Sequence, residues 1–248
     1  MNQSTDKMLI SQLLQRIEER PQLDFGNVFS ASFELFKKIW GEGVATILLT
    51  FLCTLPLYGL LLLPLLVAAL VDPMAIENDD PPFWLFFVMV PIYVIVVLGA
   101  MTIGVALQTA FMRICYNKDF DSASKADYFR YLKGPFLLKS MVLGLYTFAI
   151  ALLGMLACGI GMFYVMVPVS TLTTFYAFND GLSAGDMVKA AFKFGNKNWI
   201  VLFLLLFVGG LVAQLGFLAC GIGVLFTAMF AQVPMYFAYK NGVGFEVS

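Results

Sequence analysis

Histidine is absent from the 248 residues, and charged residues make up only 12% of them. The first absence removes the commonest general base, the commonest metal ligand and the usual near-neutral pH switch together. The second is uneven: no charge lies in 43–71, 84–112, 140–179 or 198–239. Ionisable groups at membrane depth mark proton and substrate paths, and these windows hold none. A P-loop, a paired glycine-rich phosphate loop, a GxSxG elbow and any zinc-ligand spacing are also missing. The sequence therefore disfavours metalloenzymes, nucleotide hydrolases and proton-coupled transporters, and it implies no cofactor and no metal site. With 15 basic against 16 acidic residues, no excess of positive charge points to nucleic acid.

Hydrophobic residues fill the gap, at 60% of the chain. A helix needs about 20 apolar residues to cross the hydrocarbon core. The first two charge-free windows each hold one span, and the last two are long enough for two each if a tight turn divides them. A repeated nonapeptide supplies that turn: Leu153-Gly154-Met155-Leu156-Ala157-Cys158-Gly159-Ile160-Gly161 and Leu215-Gly216-Phe217-Leu218-Ala219-Cys220-Gly221-Ile222-Gly223. Gly159 and Gly161, like Gly221 and Gly223, can take the positive φ needed where a helix reverses. The predicted fold is thus an all-α integral membrane protein with six transmembrane helices, near 43–70, 84–112, 138–158, 161–179, 199–219 and 222–239. They form three helical hairpins.

All 15 basic residues fall in four blocks: Lys7 to Lys38, Arg113 to Lys139, Lys189 to Lys197, and Lys240 alone. One pair of spans separates each block from the next. The 72–83 loop carries Asp72, Glu77, Asp79 and Asp80 and no basic residue. Lys and Arg collect on the cytoplasmic side of short loops, so both termini and all four blocks read as cytoplasmic. No cleavable signal precedes the first span, which is expected to act as its own insertion signal. A multi-pass protein of the bacterial inner membrane fits this pattern.

Residues 1–22 form a polar segment in which Met8, Leu9, Leu13, Leu14 and Ile17 fall near helical spacing before Pro21. Such a helix would lie on the membrane surface, on the protein's own body or on a partner. A unit then repeats over 23–121, 122–182 and 183–248. Each unit is an amphipathic lead-in, a hairpin and an aromatic-to-polar exit, such as Phe175-Tyr176-Ala177-Phe178-Asn179 and Tyr236-Phe237-Ala238-Tyr239-Lys240-Asn241. The lead-ins are read as interfacial helices, apolar face down in the headgroup layer. Their expected anchors are Phe29, Phe33, Phe36, Lys37, Lys38 and Trp40, then Tyr128, Arg130, Tyr131 and Lys133, then Lys189, Phe192, Lys193 and Trp199. Ser183 and Asp186 sit at capping-box spacing at the start of the third.

Cys158 and Cys220 occupy equivalent places at outward turns, where an oxidising compartment could join them if their Cα atoms came within about 7 Å. Small buried packing residues are the simpler reading. Cys53 and Cys115 have no metal-ligand spacing. The polar groups available to line a cavity between hairpins are Gln214, Ser170 and Thr171. Asp119, Asp121 and Asp127 are the carboxylates at the cytoplasmic rim that an enzyme would need.

Residues Phe25-Gly26-Asn27-Val28-Phe29-Ser30-Ala31-Ser32-Phe33-Glu34-Leu35-Phe36-Lys37-Lys38-Ile39-Trp40, followed by a long span, resemble a widespread bacterial group of multi-span proteins. The group includes the membrane domain attached to some glycerophosphodiester phosphodiesterases. The resemblance implies a six-helix membrane domain with no catalytic residues to carry over, since the phosphodiesterase barrel has no counterpart here. Some relatives carry a carotene-oxygenase label, which rests on histidine-bound iron and is incompatible with a chain lacking histidine. The leading expectation is a non-enzymatic inner-membrane accessory or scaffold protein that binds membrane lipids, a membrane-protein partner or a second copy. The alternative is a permease or flippase-like carrier of a hydrophobic or zwitterionic molecule.

Overall fold

The computed structural model describes residues 3–71, 83–122, 124–157, 159–218 and 228–245. Helices and short 3-10 turns account for all regular structure among them: α1 (Gln3–Glu19), α2 (Phe25–Val71), α3 (Phe83–Asp119), α4 (Gly134–Leu156), α5 (Ile160–Phe178), α6 (Ala184–Lys197), α7 (Trp199–Leu218) and α8 (Val233–Gly242). Four of these, α2 to α5, are long and apolar enough to cross a membrane, and a fifth span results if the bent pair α6–α7 is counted as one. Residues 72–82, with their four carboxylates, and Cys158, Cys220, Gly221 and Gly223 lie outside the described residues.

The two longest helices form the frame. At about 1.5 Å per residue, the 47 residues of α2 extend about 70 Å, more than twice the hydrocarbon thickness of about 30 Å. Asp24 starts it by accepting the Asn27 N–H at 2.7 Å. Pro56 and Pro64 lie inside without ending the helix. The hydroxyls of Thr46, Thr50 and Thr54 each donate to the carbonyl four residues earlier. They are thereby satisfied without any partner helix. α3 runs antiparallel to α2: Leu57 meets Gly99 near one end, and Lys118 pairs with Glu42 at 2.9 Å near the other.

Sequence reading expects three separate interfacial helices ahead of the hairpins, and the structure departs from this. The first lead-in, 25–40, is continuous with the span that follows, because no glycine turn or proline intervenes between Phe25 and Pro56. The second shrinks to the 3-10 turn Arg130–Leu132 before Pro135 opens α4. Only the third is an elbow, with α6 meeting α7 at 91°. Ser183 caps α6 as the spacing predicts, accepting the Asp186 N–H at 3.2 Å and donating to its carboxylate at 2.7 Å.

The repeated turn is described once, between α4 and α5. Its two glycines do different jobs. Gly159 takes the left-handed conformation, φ +78°, at the N-terminus of α5. Gly161 is helical and serves close approach: a Cβ there would fall 2.9 Å from the Gly154 carbonyl oxygen and 2.8 Å from the Ala157 Cβ. The chain reverses on the first glycine and packs on the second.

The described part of the region predicted as a sixth span, 222–239, holds a 3-10 turn over Ala228–Gln232 and the first seven residues of the ten-residue α8. α8 is about 15 Å long, half a hydrocarbon thickness. It is buried on nearly every side, with Val233, Met235, Tyr236 and Ala238 fully enclosed. The core of the molecule therefore gathers around α8, at the end of the bundle where the basic residues collect.

A candidate functional site at the basic end

Three polar clusters close this basic end, each joining segments distant in sequence. In the first, Asp180, just past α5, faces Arg113 of α3 at 3.5 Å and Arg130 at 3.8 Å. The Lys139 ammonium donates to the Asp180 and Leu182 carbonyls at 2.5 and 2.9 Å. Tyr131 is fully buried beside them; its hydroxyl accepts from Arg113 Nε and donates to the Ala177 carbonyl. Burial pushes that hydroxyl above the ordinary tyrosine range, while Arg113 pulls the other way. It stays a neutral donor.

In the second cluster, one oxygen of Asp119 accepts both the Tyr236 hydroxyl at 2.6 Å and the Lys240 ammonium at 2.5 Å. Lys240 also lies over the Phe120 and Phe237 rings. Tyr116, Phe120, Phe178, Tyr236, Tyr239 and Phe245 pack as an aromatic block around this ion pair. Arg113 lies over Phe178 at 5.8 Å and so links the two clusters.

The third cluster holds α1. Ile10, Leu13 and Ile17, at helical spacing, bury one face of it. A helix leaves its last carbonyls unpaired. Lys197 reaches three acceptors there, donating to Ile17, Glu18 and Arg20. Lys193 pairs with Glu18 at 2.5 Å, and the Leu23 N–H donates to buried Asn198 at 3.1 Å. Of the three places sequence allows for the N-terminal helix, the structure selects the protein's own body.

The predicted anchors are scattered by this packing. Phe29, Phe33 and Phe36 converge on Phe230 at 5.1 to 6.3 Å, while Trp40 and Lys38 remain exposed and Lys37 pairs with Glu34. Tyr131 is a core residue, and Arg130 lies over Phe136 at 5.3 Å. Tyr128 is half-buried, and Lys133 and Lys189 are exposed. Phe192 is half-buried, and Trp199 stacks on Phe203 while donating to the Tyr164 carbonyl.

The candidate cavity groups do not face one another. The Ser170 hydroxyl bonds the Val167 carbonyl of its own helix and Met235 Sδ of α8 at 3.4 Å, Thr171 bonds the Pro168 carbonyl, and Gln214 is exposed on α7. At the rim, Asp119 is committed to Tyr236 and Lys240, Asp121 is exposed, and Asp127 accepts the Phe129 N–H. Among the described residues no three of His, Cys, Asp and Glu cluster to hold a metal ion. Spacing alone does not single out as structural keys Asp180, Lys197, Phe230, Tyr236 or Tyr176, whose hydroxyl donates to the Phe136 carbonyl at 2.9 Å. The signal for two of them was the repeated aromatic-to-polar exit, which the structure makes core.

A large concavity lies on the side of the bundle. A groove of about 550 Å³ runs between α2, α3 and α4, walled by Leu57, Ile95, Leu98, Leu137, Leu138 and Val142. Its one hydroxyl, Thr102, already donates to the Leu98 carbonyl at 2.7 Å. The groove's lower end includes Leu132, next in the chain to Lys133 and two residues from Arg130. No protein-family model, curated protein or solved structure matches this chain.

Proposed function

We propose that this protein is a non-enzymatic scaffold or accessory subunit of the bacterial inner membrane, acting by binding membrane lipid or a membrane-protein partner. In this reading six spans form three hairpins, with the basic end and both termini in the cytoplasm. The observation that carries it is how the polar groups of the basic end are used. Asp180, Asp119, Glu42 and Glu18 each face a lysine or arginine from another segment. Charges paired this way hold helices together, and this structural use of the polar groups supports the reading. The resemblance of residues 25–40 to a bacterial group of multi-span proteins implies a six-helix membrane domain with no catalytic residues to carry over.

Beside this pinned end, α2 to α4 present long apolar faces, including Leu62, Leu66, Phe86 and Leu138. Exposed apolar surface on this scale belongs against lipid or another transmembrane helix. Extraction into lipid-containing polymer discs, followed by mass analysis, tests the proposal. The expected result is a defined complex with a protein partner, a second copy or a specific lipid. Recovery of the lone chain carrying only bulk lipid would contradict it.

A further inference from the structure

The groove between α2, α3 and α4 has features that single out one occupant. Gly144 of α4 sits against Thr102 of α3, where an added Cβ would lie 3.2 Å from the Thr102 backbone nitrogen. The rise from Leu137 to Gly144, continued from Thr102 up to Ile95, comes to about 20 Å at about 1.5 Å per residue. One leaflet of hydrocarbon is about 15 Å deep. The groove thus begins at the basic end and extends through one leaflet and little further. Its volume of about 550 Å³ lies within the range of about 300–1,000 Å³ typical of sites for small ligands.

Charge marks the same end. Lys133 is exposed and makes no ion pair among the described residues. Arg130 is held in place by the Phe136 ring and by Asp180, which offsets part of its charge. An apolar groove about one leaflet deep, lined at its basic end by Leu132 with Lys133 and Arg130 close to it in the chain, matches a molecule with a long hydrocarbon chain and an anionic head. We infer that this groove binds one anionic phospholipid of the cytoplasmic leaflet, its acyl chain along Leu138, Val142, Leu98 and Ile95 and its phosphate at Lys133 and Arg130. The inference deepens the lipid-binding side of the function proposed above and rests on the same membrane orientation.

The test uses the full chain reconstituted in nanodiscs of equimolar phosphatidylglycerol and phosphatidylethanolamine, released gently and weighed by native mass spectrometry. Wild type should retain phosphatidylglycerol over phosphatidylethanolamine by about five-fold or more, the worth of one basic residue at an anionic surface. Lys133→Glu should bring that ratio close to unity while a lipid is still retained. Leu138→Trp, at a position 68% exposed, should expel the lipid without disturbing the core. Excess glycerol phosphate should not compete, because the chain supplies the hold.

Equal retention of the two lipids, a preference unaffected by Lys133→Glu, or full retention in Leu138→Trp would each overturn the inference. So would a second copy of the chain crosslinked through Leu138 in place of lipid. A protein partner recovered without lipid preference would overturn this site and leave the scaffold reading standing. A selective lipid recovered without any protein partner would support both.

Discussion

The two ends of α2 share one helix and differ in almost everything else. From Val28 to Thr46 its buried residues recur every three or four positions: Val28, Ser32, Leu35, Ile39, Gly43 and Thr46. From Leu55 to Val71 only Pro64 and Ala68 are buried, and Leu62, Leu63, Leu66 and Leu70 point outward. The first half is organised by protein, around Phe230 and Met229; the second needs an apolar solvent to be stable. Position in the bundle, and not helix propensity, decides what each leucine does. The difference teaches that specificity of fold is concentrated at the basic end, while the outer arm exposes its leucines.

Substitutions at the two ends should therefore diverge. The largest effect is expected from Asp119→Ala, which leaves the Lys240 ammonium and the Tyr236 hydroxyl unpartnered. Breaking a fully buried pair costs about 3–5 kcal/mol, and partial exposure of Lys240 reduces this to about 2–3 kcal/mol. Thermal unfolding in detergent should show it, with partial recovery on adding Lys240→Met. Next comes Gly195→Val, where a Cβ would lie 2.8 Å from the Pro168 Cα. Backbone cannot yield as a side chain does, so about 1–3 kcal/mol should be lost. The control is Gly59→Val on the outer arm, where no neighbour lies within 4 Å, and the change should stay within about 0.5 kcal/mol. Equal losses at the two glycines would erase the comparison.

A smaller effect is expected at α1. Lys197→Ala removes the cap from three acceptors and should loosen this helix by about 1–2 kcal/mol. It would be seen as faster hydrogen exchange over residues 8–19 with the rest unchanged. The smallest effect is one of pH. The Lys193 hydrogen bond and charge hold the Glu18 carboxyl below its ordinary value. The pair's contribution is complete above the unfolded carboxylate value of about 4.3 and fades as pH falls through the lowered one. Protection of α1 should be level between pH 7 and 5 and decline only in more acid solution, and Glu18→Gln should flatten that decline.

Much of the architecture is legible in the sequence. Charge-free windows located α2 to α5, because a helix in hydrocarbon tolerates few charges and the chain segregates them. Ser183 and Asp186 announced the start of α6, and Gly159 the turn before α5. The lead-ins were harder. Aromatic residues beside lysine describe an interfacial helix and a helix packing on its own protein equally well, and Phe29 and Phe36 turned to Phe230. Tyr131 shows the same ambiguity, resolved only by Ala177 and Arg113 arriving from far along the chain. Pairs such as Asp119 with Lys240 carry no local signal, since nothing in the spacing of two distant charges says that they meet. The groove was equally hidden, because its leucines read as ordinary membrane-facing residues until three helices placed them around one space.

The contrast between the ends can be measured in one experiment: hydrogen exchange of the intact chain, first in lipid nanodiscs and then after transfer to a short-chain detergent. The account predicts that 105–118 and 233–242, held by Asp119, Tyr236 and the aromatic block, keep their protection in both. Segments 55–71 and 83–95 should lose theirs when lipid is withdrawn. Protection that falls evenly along the chain, or first at the basic end, would contradict it.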